Sequence, residues 1–337
     1  MASTAGSGRR IVGVAALVAA LGVGIAIGAW VWPGGGTHTV APSAPTASIS
    51  TIELTSAQTP VPTHVKIPAG ETPFRANFEV KSPGWQQFTG LQYEEERPLG
   101  DSFSLVTSPV REGTTAARFT VQQGYSRFGA NEDTEAVWHS HERQGDDYWY
   151  AWSTLFPTNW EPPYGWGIFA QWHAPLGTSP IISFNARADT AVLDVHTGLT
   201  DVKRNAFAFD HEFPLLGTLA KGRWNDFVLH VHWSRKSDGV IEVYHRLAGT
   251  KTLHRLVSLA DIPTFQFTPS GSGTGTYLLL GLYRRSYCSQ PTELSCRSRK
   301  GVQPPSVIYD DAFARGRTFS EAVRRAFPDS LPELPAR

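Results

Sequence analysis

From about Pro73 to Phe327 the chain breaks into short runs in which apolar and polar residues alternate, separated by Gly, Pro, Asn and Asp. Alternation sends successive side chains to opposite faces and predicts half-buried β-strands. Ala117–Val121, Tyr148–Phe156, Ile168–His173, Ile181–Ala186, Phe227–Trp233, Val240–His245 and Tyr277–Tyr283 read this way. Asp238-Gly239, between two of these runs, is a hairpin signal. Strands at this density without helices between them predict an all-β fold, a sandwich or barrel, and the length fits one large jelly roll. Thr318–Phe327 reads as a short terminal helix capped by Ser320 or Thr318. The acidic run Glu132-Asp133-Thr134-Glu135 reads as a solvated loop.

The start of the chain has a different pattern. Arg9 and Arg10 precede an uncharged apolar run from Ile11 to Trp32. That run is long enough to cross a bilayer as a helix, which needs about 20 residues. The arginines favour a short cytoplasmic N-terminus, residues 1–10, with everything after the span outside the cytoplasm. A cleaved signal peptide is the competing reading, and it exports the rest equally. Residues 33–72 are rich in Gly, Pro, Ser, Thr and Ala and read as a disordered linker. Residues 73–330 form the predicted folded domain, either anchored to the cell membrane or secreted.

Lys plus Arg and Asp plus Glu are each 30, so the formal net charge is zero. No basic stripe marks a nucleic-acid binder. The chain carries 11 Trp, 18 Phe and 10 Tyr, which suit both a core and the stacking of sugar rings. Cys288 and Cys296 lie in one Ser/Arg-rich loop and can close a small disulfide in an oxidising compartment.

Strand parity sorts the polar side chains. Phe169, Gln171 and His173 share one face of their run, against Ile168, Ala170 and Trp172 on the other. Tyr277, Gly281 and Tyr283 share a face, with Leu278, Leu280 and Leu282 opposite, and Gly281 leaves room beside Tyr283. His139, His141 and Arg143 form one row; Ser183, Asn185 and Arg187 form another. His230 and His232 point away from Phe227, Leu229 and Val231. If these rows line one sheet, the groove holds His, Gln, Arg, Asn and Tyr, and almost no carboxylate.

Glycosidases usually need two acids flanking the bond. β-Elimination on a uronic acid needs other parts. A donor neutralises the sugar carboxylate, a base takes the adjacent proton, and an acid protonates the departing oxygen. Gln171, His173, Tyr283 and Arg284 fit those roles, and a cationic Arg beside Tyr283 would favour its phenolate.

The segment Gly145-Asp146-Asp147-Tyr148-Trp149-Tyr150-Ala151-Trp152-Ser153, then Phe156-Pro157 and Gln171-Trp172-His173, resembles the jelly-roll polysaccharide lyases related to heparin lyase I and glucuronan lyase. Gly222-Arg223-Trp224-Asn225-Asp226-Phe227, the Asp238-Gly239 turn and Gly281-Leu282-Tyr283-Arg284 continue the likeness, which spans Phe74 to Asp311. The resemblance implies a concanavalin A-like jelly-roll sandwich whose Gln-x-His strand carries catalytic groups. Gln171 would neutralise the carboxylate, and His173 would be a base or charge stabiliser. Tyr283 would be the acid or acid/base. Arg284 would assist substrate binding. By strand parity, His139, His141, Arg143, Asn185, Arg187, His230 and His232 are the further residues that would hold an acidic polysaccharide. Relatives often carry an Arg-x-Glu pair where this chain reads His139-Ser140-His141-Glu142-Arg143. No cofactor is required. Sandwiches of this type often hold a structural calcium, for which Glu79, Asp310 and Asp311 could supply oxygens. The expected protein is a monomeric polysaccharide lyase. A non-catalytic lectin-like module and a jelly-roll glycoside hydrolase are the alternatives.

Overall fold

The computed structural model describes residues 74–79, 88, 90–92, 99–122, 131–163, 165–266, 276–285 and 304–335. Residues 1–72, which include the run Ile11–Trp32 and the linker, lie outside the described residues, as does the Cys288–Cys296 pair. Among the described residues no helix is long and apolar enough to cross a membrane.

The strands in chain order are β1 Arg75–Ala76, β2 Gly90–Gln92, β3 Phe103–Val106, β4 Ala116–Val121, β5 Asn131–Trp138, β6 Asp147–Leu155, β7 Gly167–His173 and β8 Ile182–Arg187. Then come β9 Thr190–Asp201, β10 Ala206–Leu216, β11 Trp224–His232, β12 Gly239–Leu247, β13 His254–Ile262, β14 Tyr277–Arg285 and β15 Ser306–Gly316. The first sheet has the order β13-β12-β11-β6-β15-β4-β3, with β1 also on β15; the second has β10-β9-β8-β7-β14-β5-β2. Two antiparallel sheets stacked on an apolar layer make the predicted all-β sandwich. The connection after His232 runs through Trp233–Asp238, longer than the two-residue turn that Asp-Gly predicts.

The inner layer is aromatic. Trp152 of β6 meets Phe184 of β8 edge-on at 4.9 Å, Phe227 of β11 at 5.4 Å and Trp172 of β7 at 5.8 Å. All four are fully buried. Phe169 lies in this same layer, against Phe156 and Phe184. That corrects its expected place beside Gln171. The ladder of β7 shifts register between Ile168 and Ala170, so Phe169 is an extra residue and parity reverses there.

The outer face of the first sheet is covered. Helix α1 (Leu99–Ser102) packs near β3, and helix α2 (Phe319–Ala326) packs on β15 and β6. Thr318 is the N-cap of α2 and accepts from the Glu321 amide at 3.1 Å, as its sequence predicts. Ala322, Val323 and Ala326 seal Ala151, Val228 and Tyr244. Beside them buried Asp226 receives Arg111 Nε and Nη2 at 2.8 Å, Arg246 Nε at 2.9 Å and Ser153 Oγ at 2.9 Å.

His230 and His232 sit on this covered side of the first sheet. Both carboxylates beside His230 hold it: Nε2 lies 2.9 Å from Asp147 and Nδ1 2.9 Å from Glu242, with Trp149 stacked at 4.1 Å. Burial alone would lower the His230 pKa, but the two acids win and raise it to about 9. A raised value means stability present in full below the ordinary pKa of about 6.5 and lost as pH rises through about 9. Denaturation curves should therefore show a loss on the order of 2 kcal/mol between about pH 6 and pH 10. His230→Phe should remove that dependence. An unchanged slope in the variant contradicts this role.

Candidate active site

Among the described residues the terminal helix α2 lies against the first sheet and covers β15 and β6, and the outer face of the second sheet carries the predicted polar rows. The polar side chains of that face are sheltered all the same: Gln171 is 3% exposed, Glu135 2%, Ser183 1% and Asn185 2%. The ladders fix their order. Gln171 stands opposite Leu279 and Ser183, His173 opposite Tyr277, and Tyr283 opposite Ile168 and Asp133. Gln171, His173 and Tyr283 therefore share one face. His173 and Tyr283 are separated by five residue steps along β7 and six along β14, on the order of 17–20 Å of backbone, so the two do not meet over one glycosidic bond.

One end is a set of stacked rings. His173 lies on Tyr277 at 5.2 Å, Tyr277 meets His139 at 6.0 Å, and His139 stacks on His141 at 5.8 Å. The His173 Nδ1 is 2.5 Å from the Ala174 carbonyl oxygen. A carbonyl only accepts, so Nδ1 carries the hydrogen and Nε2 keeps its lone pair. Burial lowers the His173 pKa, which keeps the ring neutral at neutral pH. Burial, then the charge of Glu135, raises Tyr277 to about 12.

The other end is a phenol among amide and acids. Asn131 Nδ2 donates to the Tyr283 oxygen at 2.6 Å, and Trp166 meets the ring edge-on at 5.2 Å. Burial raises the Tyr283 pKa, and Glu135 and Asp133 push it further up. The phenolate expected from a nearby arginine is corrected: Tyr283 stays protonated. Arg284 is on the inner face, fully buried, with Nε 2.8 Å from Glu132 and Nη1 donating to the Pro304 carbonyl and Ser306 Oγ. It is a structural residue and not a groove cation, because adjacent strand residues face opposite ways.

Between the ends lies the chief surprise. The acidic run is not a loop but strand β5. Asp133 and Glu135 lie on the outer face with Tyr283 and Gln171, while Glu132 points inward to Arg284. The Gln171 Nε2 donates to Glu135 Oε1 at 2.6 Å. Burial raises the Glu135 pKa well above the usual carboxylate range, with Asp133 adding to the rise. The groove thus contains carboxyl groups where almost none was expected. Gly281 makes no room for a ligand. Its φ is 140°, and a Cβ there would lie 2.4 Å from the Thr134 carbonyl oxygen and 2.8 Å from Glu135 Cα, so the glycine lets β5 approach.

The row on β8 falls on the same face. Asn185 Nδ2 donates to Ser183 Oγ and Asp194, each at 3.0 Å. Arg187 pairs with Asp194 at 3.2 Å and with Glu212. Asp194 and Glu212 come from β9 and β10, strands that the alternation pattern did not single out. His139 and His141 reach the groove. Arg143 does not extend their row, since β5 ends at Trp138 and Arg143 is an exposed turn residue whose amide bonds Asp146. His230 and His232 belong to the other sheet and cannot join this face.

Glu79, Asp310 and Asp311 do not gather either, and among the described residues no group of three or more metal-ligating side chains forms. Glu79 accepts from Thr114 and Thr115, Asp310 points inward to Thr154 Oγ1 at 2.6 Å, and Asp311 accepts from the amides of Arg111 and Glu112. Burial raises Asp311 to about 7.

Comparison with known proteins bears on this arrangement. A family model described as Polysaccharide lyase matches residues 81–314. Among solved structures, the endo-β-1,4-glucuronan lyase from the fungus Trichoderma reesei is similar with a TM-score of 0.57 at 16% identity, covering 74% of this chain and 97% of that one. The marine alginate lyase from Aplysia kurodai has a TM-score of 0.45 at 12% identity, covering 73% and 99%. The catalytic domain of the glycoside hydrolase family 131 protein from Coprinopsis cinerea has 0.42 at 12%, covering 68% and 84%. No curated protein matches the chain. The likeness to the glucuronan lyase places the fold among jelly-roll lyase structures.

Proposed function

The chain belongs to the polysaccharide lyase family, and from that premise we propose that it cleaves a uronic-acid-containing glycan by β-elimination on the outer face of the second sheet. The observation that carries this reading is the stacking of a neutral imidazole, His173, on a protonated phenol, Tyr277, on the face that also presents the amide of Gln171. Gln171 donates to the sugar carboxylate and stabilises the charge that builds there. His173 Nε2 takes the proton from the carbon beside that carboxylate. The electrons of that C–H bond form the new double bond as the glycosidic C–O bond breaks. Tyr277, stacked on His173 at 5.2 Å and held protonated, gives its hydroxyl proton to the departing oxygen. Tyr283 lies at the other end of the face, where Asn131 donates to its oxygen, and contacts the polymer. Asn185, Arg187, His139 and His141 line the rest of the face and contact the polymer.

Hydrolysis is the second reading, favoured by the Asp133–Glu135 pair. A glycosidase places its two acids on either side of the bond. Here they are neighbours on one strand face, and Glu135 is already held by Gln171.

The test is to incubate the full chain with β-1,4-glucuronan, alginate and heparin and follow ultraviolet absorbance of the new double bond. At least one polymer should give rising absorbance. New reducing ends without absorbance would mean hydrolysis, and binding without either would mean a lectin-like module.

A further inference from the structure

An amide side chain has an oxygen face and a nitrogen face of nearly equal shape, and its last torsion is broad and roughly two-fold. An amide that is to meet a sugar carboxylate must present N–H, because its oxygen would repel the anion. Something has to choose between the two orientations. Among the described residues, the side-chain acceptor that Gln171 bonds is Glu135 Oε1, at 2.6 Å. Both groups are almost fully sheltered, so water does not readily substitute for this contact. The strand between them, β14, passes with Gly281 opposite Glu135, where any Cβ would collide with β5. The close approach that the contact needs is thus built into the sheet.

We propose that Glu135 is a positioning residue for the reaction: it holds one amide hydrogen of Gln171 and so turns the other toward the sugar carboxylate. This rests on the carboxylate-binding role of Gln171. The groups facing Glu135 are Asp133 on its own strand, Gln171 and His173 on β7, Tyr277 and Tyr283 on β14, and Gln92 opposite it on β2. None of these is a lysine or arginine that would stabilise an ionised Glu135. As the neutral acid, Glu135 can accept from Gln171 without adding charge. Once ionised, it places a second negative charge beside the substrate's own and opposes its binding.

The experiment compares wild type, Gln171→Ala, Glu135→Gln and Glu135→Met, as full chains, in pH profiles of kcat and KM on β-1,4-glucuronan and alginate. Glu135→Gln still offers a carbonyl oxygen to Gln171. It should keep kcat near the wild-type value at neutral pH and lose the alkaline fall that ionisation of Glu135 causes in the wild type. Glu135→Met offers no oxygen and should lose about 10- to 100-fold in kcat, the usual scale for removing the partner that orients a reactive group. Full kcat in Glu135→Met overturns the inference. So does a loss in Glu135→Gln as large as that in the Met variant, or a wild-type pH profile in Glu135→Gln, which decides the matter even if the Met variant fails to fold. Full activity in Gln171→Ala, or no cleavage by the wild type, overturns the underlying assignment itself.

Discussion

Tyr277→Phe should lower lyase activity by about 10²- to 10⁴-fold, the range that a positioned acid contributes, while the protein stays folded. The variant removes one hydroxyl and leaves the ring, so no core volume is lost. Tyr277 is half-buried on the outer face and stacks on His173. The loss should fall on kcat, because the proton is needed as the glycosidic bond breaks. The phenol is held protonated by burial and by Glu135, so the effect should persist across neutral pH. A melting temperature within a few degrees of wild type would show that the fold survives, since about 1 kcal/mol moves a domain of this size by only about 2–4 °C. A folded variant with full activity would remove Tyr277 from the mechanism.

Arg284→Ala should act in the opposite way, costing about 3–5 kcal/mol of stability, the usual scale for breaking a buried ion pair. Both partners are fully buried, and the guanidinium also satisfies Pro304 and Ser306. Removing it leaves the Glu132 charge inside the sandwich without its cation. Arg284→Lys should recover little, because an ammonium cannot reproduce the fork that reaches three acceptors. The double variant Arg284→Leu with Glu132→Leu should recover much of the loss, since no uncompensated charge then remains. Equilibrium denaturation of the four proteins measures this. A stable Arg284→Ala with a raised KM would instead put the arginine in the groove.

Tyr283 and Arg284 are neighbours in sequence and differ completely in place. Parity alone separates them, which is why much of the sandwich is legible in the chain. The runs around Trp152, Trp172, Phe227 and Leu280 alternate cleanly, and all became strands with those residues inside. Adjacent Asp310 and Asp311 must likewise face opposite ways, so a shared calcium was already in conflict with the strand they occupy. Parity fails where a strand takes in an extra residue. The shift between Ile168 and Ala170 moved Phe169 inward, as a slip of one position must. It fails again at β5, where acids occupy both faces. No apolar alternation marks that strand, because Glu132 is buried by pairing with Arg284 and Glu135 by its contact with Gln171. Those partners lie far away in sequence. His230 and His232 show another limit. A strand pattern tells which side chains leave the core, but not which of two sheets carries them.

Elimination at the outer face of the second sheet fixes the mass of the products. Mass spectrometry of the fragments that the full chain releases from a uronan tests this most directly. Every new fragment bearing a cut non-reducing end should be lighter, by one water, than its hydrolytic counterpart, and Tyr277→Phe should release almost none. Fragments carrying the full mass of a hydrolysis product would contradict it.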